Sequence, residues 1–140
     1  VRIISDRNQT EVINMQNLDS IIENFNDRET QNSFDYKDMK DNMAVAVIPY
    51  FFSFLFFLPI VCNKNSTFCR FHANQQLTLL IAEVILYVVM GIIGIIPILG
   101  WLVDAVAGLA IFLFKCCLAY GAYKGKAIRI PFIGNFLNVF

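Results

Sequence analysis

A chain of 140 residues that is 57% hydrophobic, against about 45–50% for soluble domains, carries more apolar side chain than one water-soluble core can use. Its formal charge is zero but unevenly divided: residues 1–42 hold nine acidic and five basic side chains, residues 43–140 six basic and two acidic. This excludes a basic nucleic-acid-binding domain. Four cysteines, Cys62, Cys69, Cys116 and Cys117, are too few and scattered for a disulfide-stapled secreted fold.

The composition instead describes an acidic soluble arm, residues 1–41, ahead of a membrane domain, residues 42–140. The chain opens at Val1 with nothing of the basic-then-apolar pattern of a cleaved signal peptide. Val12, Met15, Leu18, Ile21, Ile22 and Phe25 recur at steps of three and four, which predicts an amphipathic helix over about 11–25. A single such helix needs a surface to cover its stripe. Polar residues 26–41 read as a linker.

Residues 43–61 are apolar, uncharged and rich in phenylalanine. Nineteen residues rise about 28 Å, near the ~30 Å hydrocarbon thickness, so this is the expected first span, kinked at Pro49 and ended by Pro59. A short polar loop follows. Cys62, Cys69 and His72 lack the paired spacing of a metal site. Residues 77–96 and 102–122 are the expected second and third spans, joined by a tight turn at Pro97-Ile98-Leu99-Gly100, where glycine tolerates unusual dihedrals. The fold expected is therefore an all-α membrane protein of three transmembrane helices, with an N-terminal amphipathic helix and a C-terminal interfacial segment. That last segment sets Lys124, Lys126 and Arg129 beside Ile128, Ile130, Pro131, Phe132, Ile133, Phe136 and Leu137.

Glu83, Asp104 and Lys115 fall inside the apolar runs, where a central charge costs at least ~2.5–3.5 kcal/mol. Folding back about Ile98 brings Glu83 and Lys115 to nearly equal depth, so they are expected to face each other. Gly100, Asp104 and Gly108 share a helix face, with Gly91 and Gly94 opposite, as sites of close helix packing. Three spans put the arm and the Pro97 turn on one side, and the His72 loop and C-terminus on the other. Lys64, Arg70, Lys124, Lys126 and Arg129 favour the second side as cytoplasmic, in a bacterial cytoplasmic membrane.

The words Arg70-Phe71-His72-Ala73-Asn74-Gln75, Tyr123-Lys124-Gly125-Lys126 and Ile130-Pro131-Phe132-Ile133-Gly134, after Asp38-Met39-Lys40-Asp41-Asn42, resemble a bacterial membrane family of unknown function. That family is grouped with the Tic-twenty-like component of chloroplast inner-envelope protein import. The resemblance implies a helical membrane protein without catalysis, serving import or assembly. Read physically, Arg70 to Gln75 form a polar lip that caps a membrane helix and meets a headgroup or a partner's backbone. No nucleophile or oriented acid accompanies His72, so no catalytic residue, metal or cofactor is expected. The partners expected are the lipid bilayer and a membrane protein or a second copy. The alternative is a small oligomeric channel or carrier using Glu83 and Asp104.

Overall fold

The computed structural model describes residues 2–135; Phe136 and Leu137 of the expected interfacial segment lie outside them. The described chain is helical, in the order α1 Arg2–Asn24, α2 Arg28–Asn32, α3 Tyr36–Phe51, α4 Leu58–Cys62, α5 Thr67–Ile93 and α6 Leu99–Tyr123. A 3-10 turn, Ser53–Leu55, lies between α3 and α4.

Among the described residues, only α5 and α6 are long and apolar enough to cross a membrane. Residues 43–61 do not form the single first span expected. Helix α3 starts seven residues earlier, on the N-cap Asp35 whose side chain accepts from the Asp38 N–H, and stops at Phe51. Pro49 has no N–H to return to the Val45 carbonyl, and two residues later the helix ends. Pro59 does not close a span either. It stands in the first turn of α4, where a missing donor costs nothing and its fixed φ suits a helix start.

The chain then comes back. Asn63 Nδ2 donates to Asp38 Oδ1 at 3.3 Å and the Ser66 hydroxyl bonds the other Asp38 oxygen, so the end of α4 returns to the start of α3. Residues 36–66 form a helical hairpin that enters and leaves on one side. Helix α5 begins beside that point on the N-cap Ser66, which accepts from the Cys69 N–H.

Helices α5 and α6 fold against each other through a turn in which Gly100 serves closeness rather than unusual dihedrals. A Cβ on Gly100 would sit 2.7 Å from the Gly94 Cα. The unusual dihedral belongs to Ile98, whose φ is 69°, a left-handed conformation rare for a β-branched residue.

After α6, Gly125 turns the chain with φ 71°, a region that glycine enters without steric penalty. Residues 126–130 then run back over the arm. Asn26 and Ile128 pair as an antiparallel bridge, Asp27 N–H donates to Ala127 O at 2.9 Å and Arg129 N–H to Phe25 O at 3.1 Å. Alternation over three spans would have put arm and C-terminal segment on opposite sides; these contacts place them together. A hairpin that returns, followed by two long helices, is the topology that permits it.

The core lies at this shared end. Ile22 from α1, Tyr50 from α3, Leu79 from α5, Leu118, Ala119 and Ala122 from α6, and Ile128 and Ile130 pack as one cluster. Phe34, Ala46, Phe68, Phe71 and Ala127 form a second. Ile128 and Ile130, read from sequence as interfacial anchors, are buried here.

Candidate functional site: a polar network between the hairpin and the long helices

The Arg70 to Gln75 motif occupies the first turns of α5 and faces inward. It is not a lip: Ser66 caps the helix, while His72, Ala73, Gln75 and Gln76 are almost wholly buried and Asn74 nearly so. Phe71 packs in the second core cluster under the Arg129 guanidinium, 5.1 Å from the ring centroid. Arg70 alone of the motif is exposed.

Gln75 spans the C-terminal turn. Its Nε2 donates to Gly134 O at 2.8 Å and its Oε1 accepts from Ile130 N–H at 2.9 Å, so one amide holds both ends of the Ile130 to Gly134 turn. This explains why two words 55 residues apart in sequence belong together: each satisfies the other's buried polar groups. Within the clamped turn Phe132 holds φ 69° and is 99% exposed. Gln76 Nε2 donates to Ala46 O at 2.7 Å, next to the Val45 carbonyl that Pro49 deprives of a donor. His72 Nδ1 lies 2.8 Å from Tyr50 Oη, and its ring meets Phe68 edge-on at 4.6 Å between centroids. His72 Nε2 and Gln76 Oε1 find no hydrogen-bond partner among the described residues.

Deeper along the long helices, Lys115 Nζ lies 2.6 Å from Glu83 Oε1. The pair is joined by Ser53 from the tip of the hairpin. Lys115 donates to Ser53 Oγ at 2.9 Å, and Ser53 donates to Glu83 Oε2 at 2.7 Å. The direct Lys115–Glu83 approach is an ion contact; the aligned hydrogen bonds run through the hydroxyl. The structure thus brings together Glu83 and Lys115, and adds a residue that the reading of 43–61 as a span passed over. Ser53 and Tyr50 are the only polar side chains in that run, and both prove to be tethers.

Asp104 is not part of this cluster. It stands eleven residues from Lys115 on α6, about 16 Å along the axis, beside Gly94, and its Oδ1 is buried without a partner among the described residues. Gly94 and Gly100 touch across the turn, whereas Gly91 and Gly108 face open space. The face shared by Gly100, Asp104 and Gly108 is therefore used at one end only.

On the arm, Lys126 Nζ meets Glu23 Oε2 at 2.9 Å and Arg129 Nε meets Asp27 Oδ2 at 2.8 Å. Hydrogen bonds from Lys126, Arg28 and Asn26 hold the Glu23 carboxyl down at about 2. Burial opposes ionisation of Asp27, but the Thr30 hydroxyl and N–H, with Arg129, still bring it to about 2. All four cysteines are free, and Cys62 is exposed.

Residues 40–137 match the magnetosome magnetite crystal formation protein family. The chain belongs to that family. The matched stretch begins in α3 and takes in the returning hairpin, both long helices and the clamped turn. A UPF0132 membrane protein of Methanocaldococcus jannaschii is 35% identical to this family member over 75 residues, 54% of this chain and 64% of that protein. The chain thus covers a little under two thirds of the relative's length. No solved structure matches. Together these findings establish a helical membrane protein of a family whose function is unknown; neither links it to the Tic-twenty-like proteins.

Proposed function

We propose that this family member is a non-enzymatic membrane component that binds another membrane or translocating protein, with its polar base in the cytoplasm. One observation carries the reading: His72, Gln75, Gln76, Glu83 and Lys115 each use at least one polar atom to hold one segment of the chain to another. Gln75 holds the C-terminal turn, Gln76 and His72 hold α3, and Glu83 with Lys115 hold the hairpin tip. A reaction centre needs groups that a substrate can reach, and His72 is 0% exposed.

What remains for a partner is the arm. The last turns of α1 dock through Leu18 and Ile22 on the core and Asp19 on Tyr120. Its earlier turns project, leaving Val12, Ile13 and Met15 more than half exposed. The resemblance of the Phe-His-Ala-Asn-Gln and Pro-Phe-Ile-Gly words to the Tic-twenty-like group supports an import or assembly role. The family's description, magnetite crystal formation, names one assembly in which such a component would serve.

The orientation rests on charge. Lys37, Lys40, Lys64, Arg70, Lys124, Lys126 and Arg129 all belong to the base, and residues 94–101 at the opposite turn carry no charge. That asymmetry favours a cytoplasmic base. Exposed Cys62 should then react with a membrane-impermeant thiol reagent only after lysis; labelling in intact cells inverts the orientation.

Photocrosslinking tests the partner. A probe at Val12 or Met15 in native membranes should capture a specific membrane or translocating protein, while the same probe at buried Gln75 should not. Adducts of lipid alone from both arm positions would defeat the reading.

The channel or carrier alternative draws on one observation, the buried unpartnered Asp104 Oδ1. Against it, Glu83 is neutralised by Lys115 and lies about 16 Å from Asp104 along the axis. Ion flux into vesicles that Glu83→Gln abolishes without unfolding the protein would put this reading first.

A further inference from the structure

The clamped turn separates two surfaces of opposite character. On one side a groove of about 690 Å³ follows α5, its lining including Thr78, Ile81, Ala82, Ile85, Val89 and Ile133. On the other side a polar pocket of about 360 Å³ holds Asn26, Asp27, Arg129 and Asn135. Consecutive residues of the turn belong to the two: Phe132 lines the pocket and Ile133 the groove.

We propose that this turn seats one phospholipid, its acyl chain in the α5 groove and its phosphate in the polar pocket beside Arg129. The groove's volume falls in the ~300–1,000 Å³ range of small-molecule sites. From Thr78 to Val89 is eleven residues, a rise of about 16 Å, and one leaflet of a ~30 Å hydrocarbon core is about 15 Å deep. The groove therefore runs the depth of one leaflet, down from the level of the polar base. The Thr78 hydroxyl, the polar group in its lining, donates inward to Asn74 O at 2.9 Å, so the wall offers a ligand only hydrocarbon.

What the pocket offers a phosphate is the unspent donors of one cation, Arg129, beside the Asp27 carboxylate that orients it. Arg129 spends Nε on Asp27 and Nη2 on Thr30. A guanidinium has five N–H donors, which leaves donors to spare in a side chain already held in place. Arginine in such a fixed fork suits phosphate oxygens. Gln75 contributes at a distance: by holding Ile130 N–H and Gly134 O it fixes Ile133 toward the groove and Phe132 outward, beside the pocket.

The proposal rests on membrane embedding and not on the partner reading, so either can fail alone. Its test is native mass spectrometry of the full chain after reconstitution in nanodiscs of phosphatidylethanolamine and phosphatidylglycerol and release into detergent. The wild type should retain one phospholipid per chain. Ala82→Trp and Ile85→Trp, which fill the groove, should each lower that retention at least tenfold, while Ala105→Trp on the exposed part of α6 should leave it unchanged. A diacylglycerol probe, which lacks the phosphate, should be retained at less than a tenth of the phospholipid level. A bare wild type, detergent in the lipid's place, retention undiminished in either folded groove variant, equal loss in Ala105→Trp, or equal retention of diacylglycerol would each overturn it.

Discussion

The α5–α6 hairpin is two structures end to end. From Gln75 to Glu83 on one helix and from Phe114 to Ile130 beyond the other, nearly every turn meets a third segment: α1, the returning hairpin or the C-terminal turn. From Val84 to Leu113 the two helices have each other and little else, with Val88 62%, Trp101 76% and Val106 62% exposed. Lipid is as apolar as leucine, so burial of apolar surface does not drive helices together there. The distal half needs only apolar side chains and one close approach at Gly94 and Gly100. The base, where water and polar groups are present, needs specific bonds, and the unusual residues are concentrated there.

The largest effect should come from the point where the two halves meet. Glu83→Ala leaves Lys115 and Ser53 without their anion, and removing one partner of a buried pair costs about 3–5 kcal/mol. Folded yield and thermal stability in detergent should fall accordingly. The double exchange Glu83→Lys with Lys115→Glu should recover most of the loss. An exchange no better than the single variant would show that the pair is not what ties hairpin tip to stalk.

Next comes the clamp. Gln75→Leu keeps volume but strands the buried Ile130 N–H and Gly134 carbonyl, at ~1–3 kcal/mol for each group left unsatisfied. The C-terminal turn should become sensitive to protease near Phe132 while α5 and α6 stay helical by circular dichroism. Unchanged protection would mean that Gly125 and the arm contacts suffice to hold it.

The smallest effect belongs to the distal half. Gly108→Ala has open space for its Cβ and gains helix propensity of up to ~1 kcal/mol, so stability should hold or rise slightly. Gly100→Ala, 2.7 Å from the Gly94 Cα, should weaken the turn. Equal melting temperatures for the two variants would erase the contrast between a touching and an open glycine.

Legibility followed the same division. The apolar runs of α5 and α6 could be read directly, because lipid exposure demands long apolar runs and little else satisfies backbone groups in hydrocarbon; the first ten residues of α5, from Thr67, were read instead as part of a polar loop ahead of a span at 77–96. Their equal-depth charges, Glu83 and Lys115, followed from counting residues about the turn. Residues 43–61 satisfied the same length and polarity rule but form no single long helix, and their end returns to the start of α3. Pro49 and Pro59 permit a break, and Ser53 has a charged pair to reach for, yet neither fact says that the chain turns back. The motif at His72 was visible as unusual but was read outward, since polar residues ahead of an apolar helix commonly cap it. Its true partners lie 22 to 59 residues away in sequence, at a range that local periodicity does not carry.

By itself the sequence determined that this is a helical membrane protein, where the apolar runs of its two long helices lie, and that Glu83, Asp104 and Lys115 fall inside those runs. These are consequences of transfer energy and local geometry, which each residue carries with it. The tertiary structure decided that the first apolar segment returns rather than crosses, that arm and C-terminal turn share one side, and that Gln75 closes the turn bearing Phe132. Such features depend on which distant donor meets which acceptor, and that pairing exists only once the chain is folded.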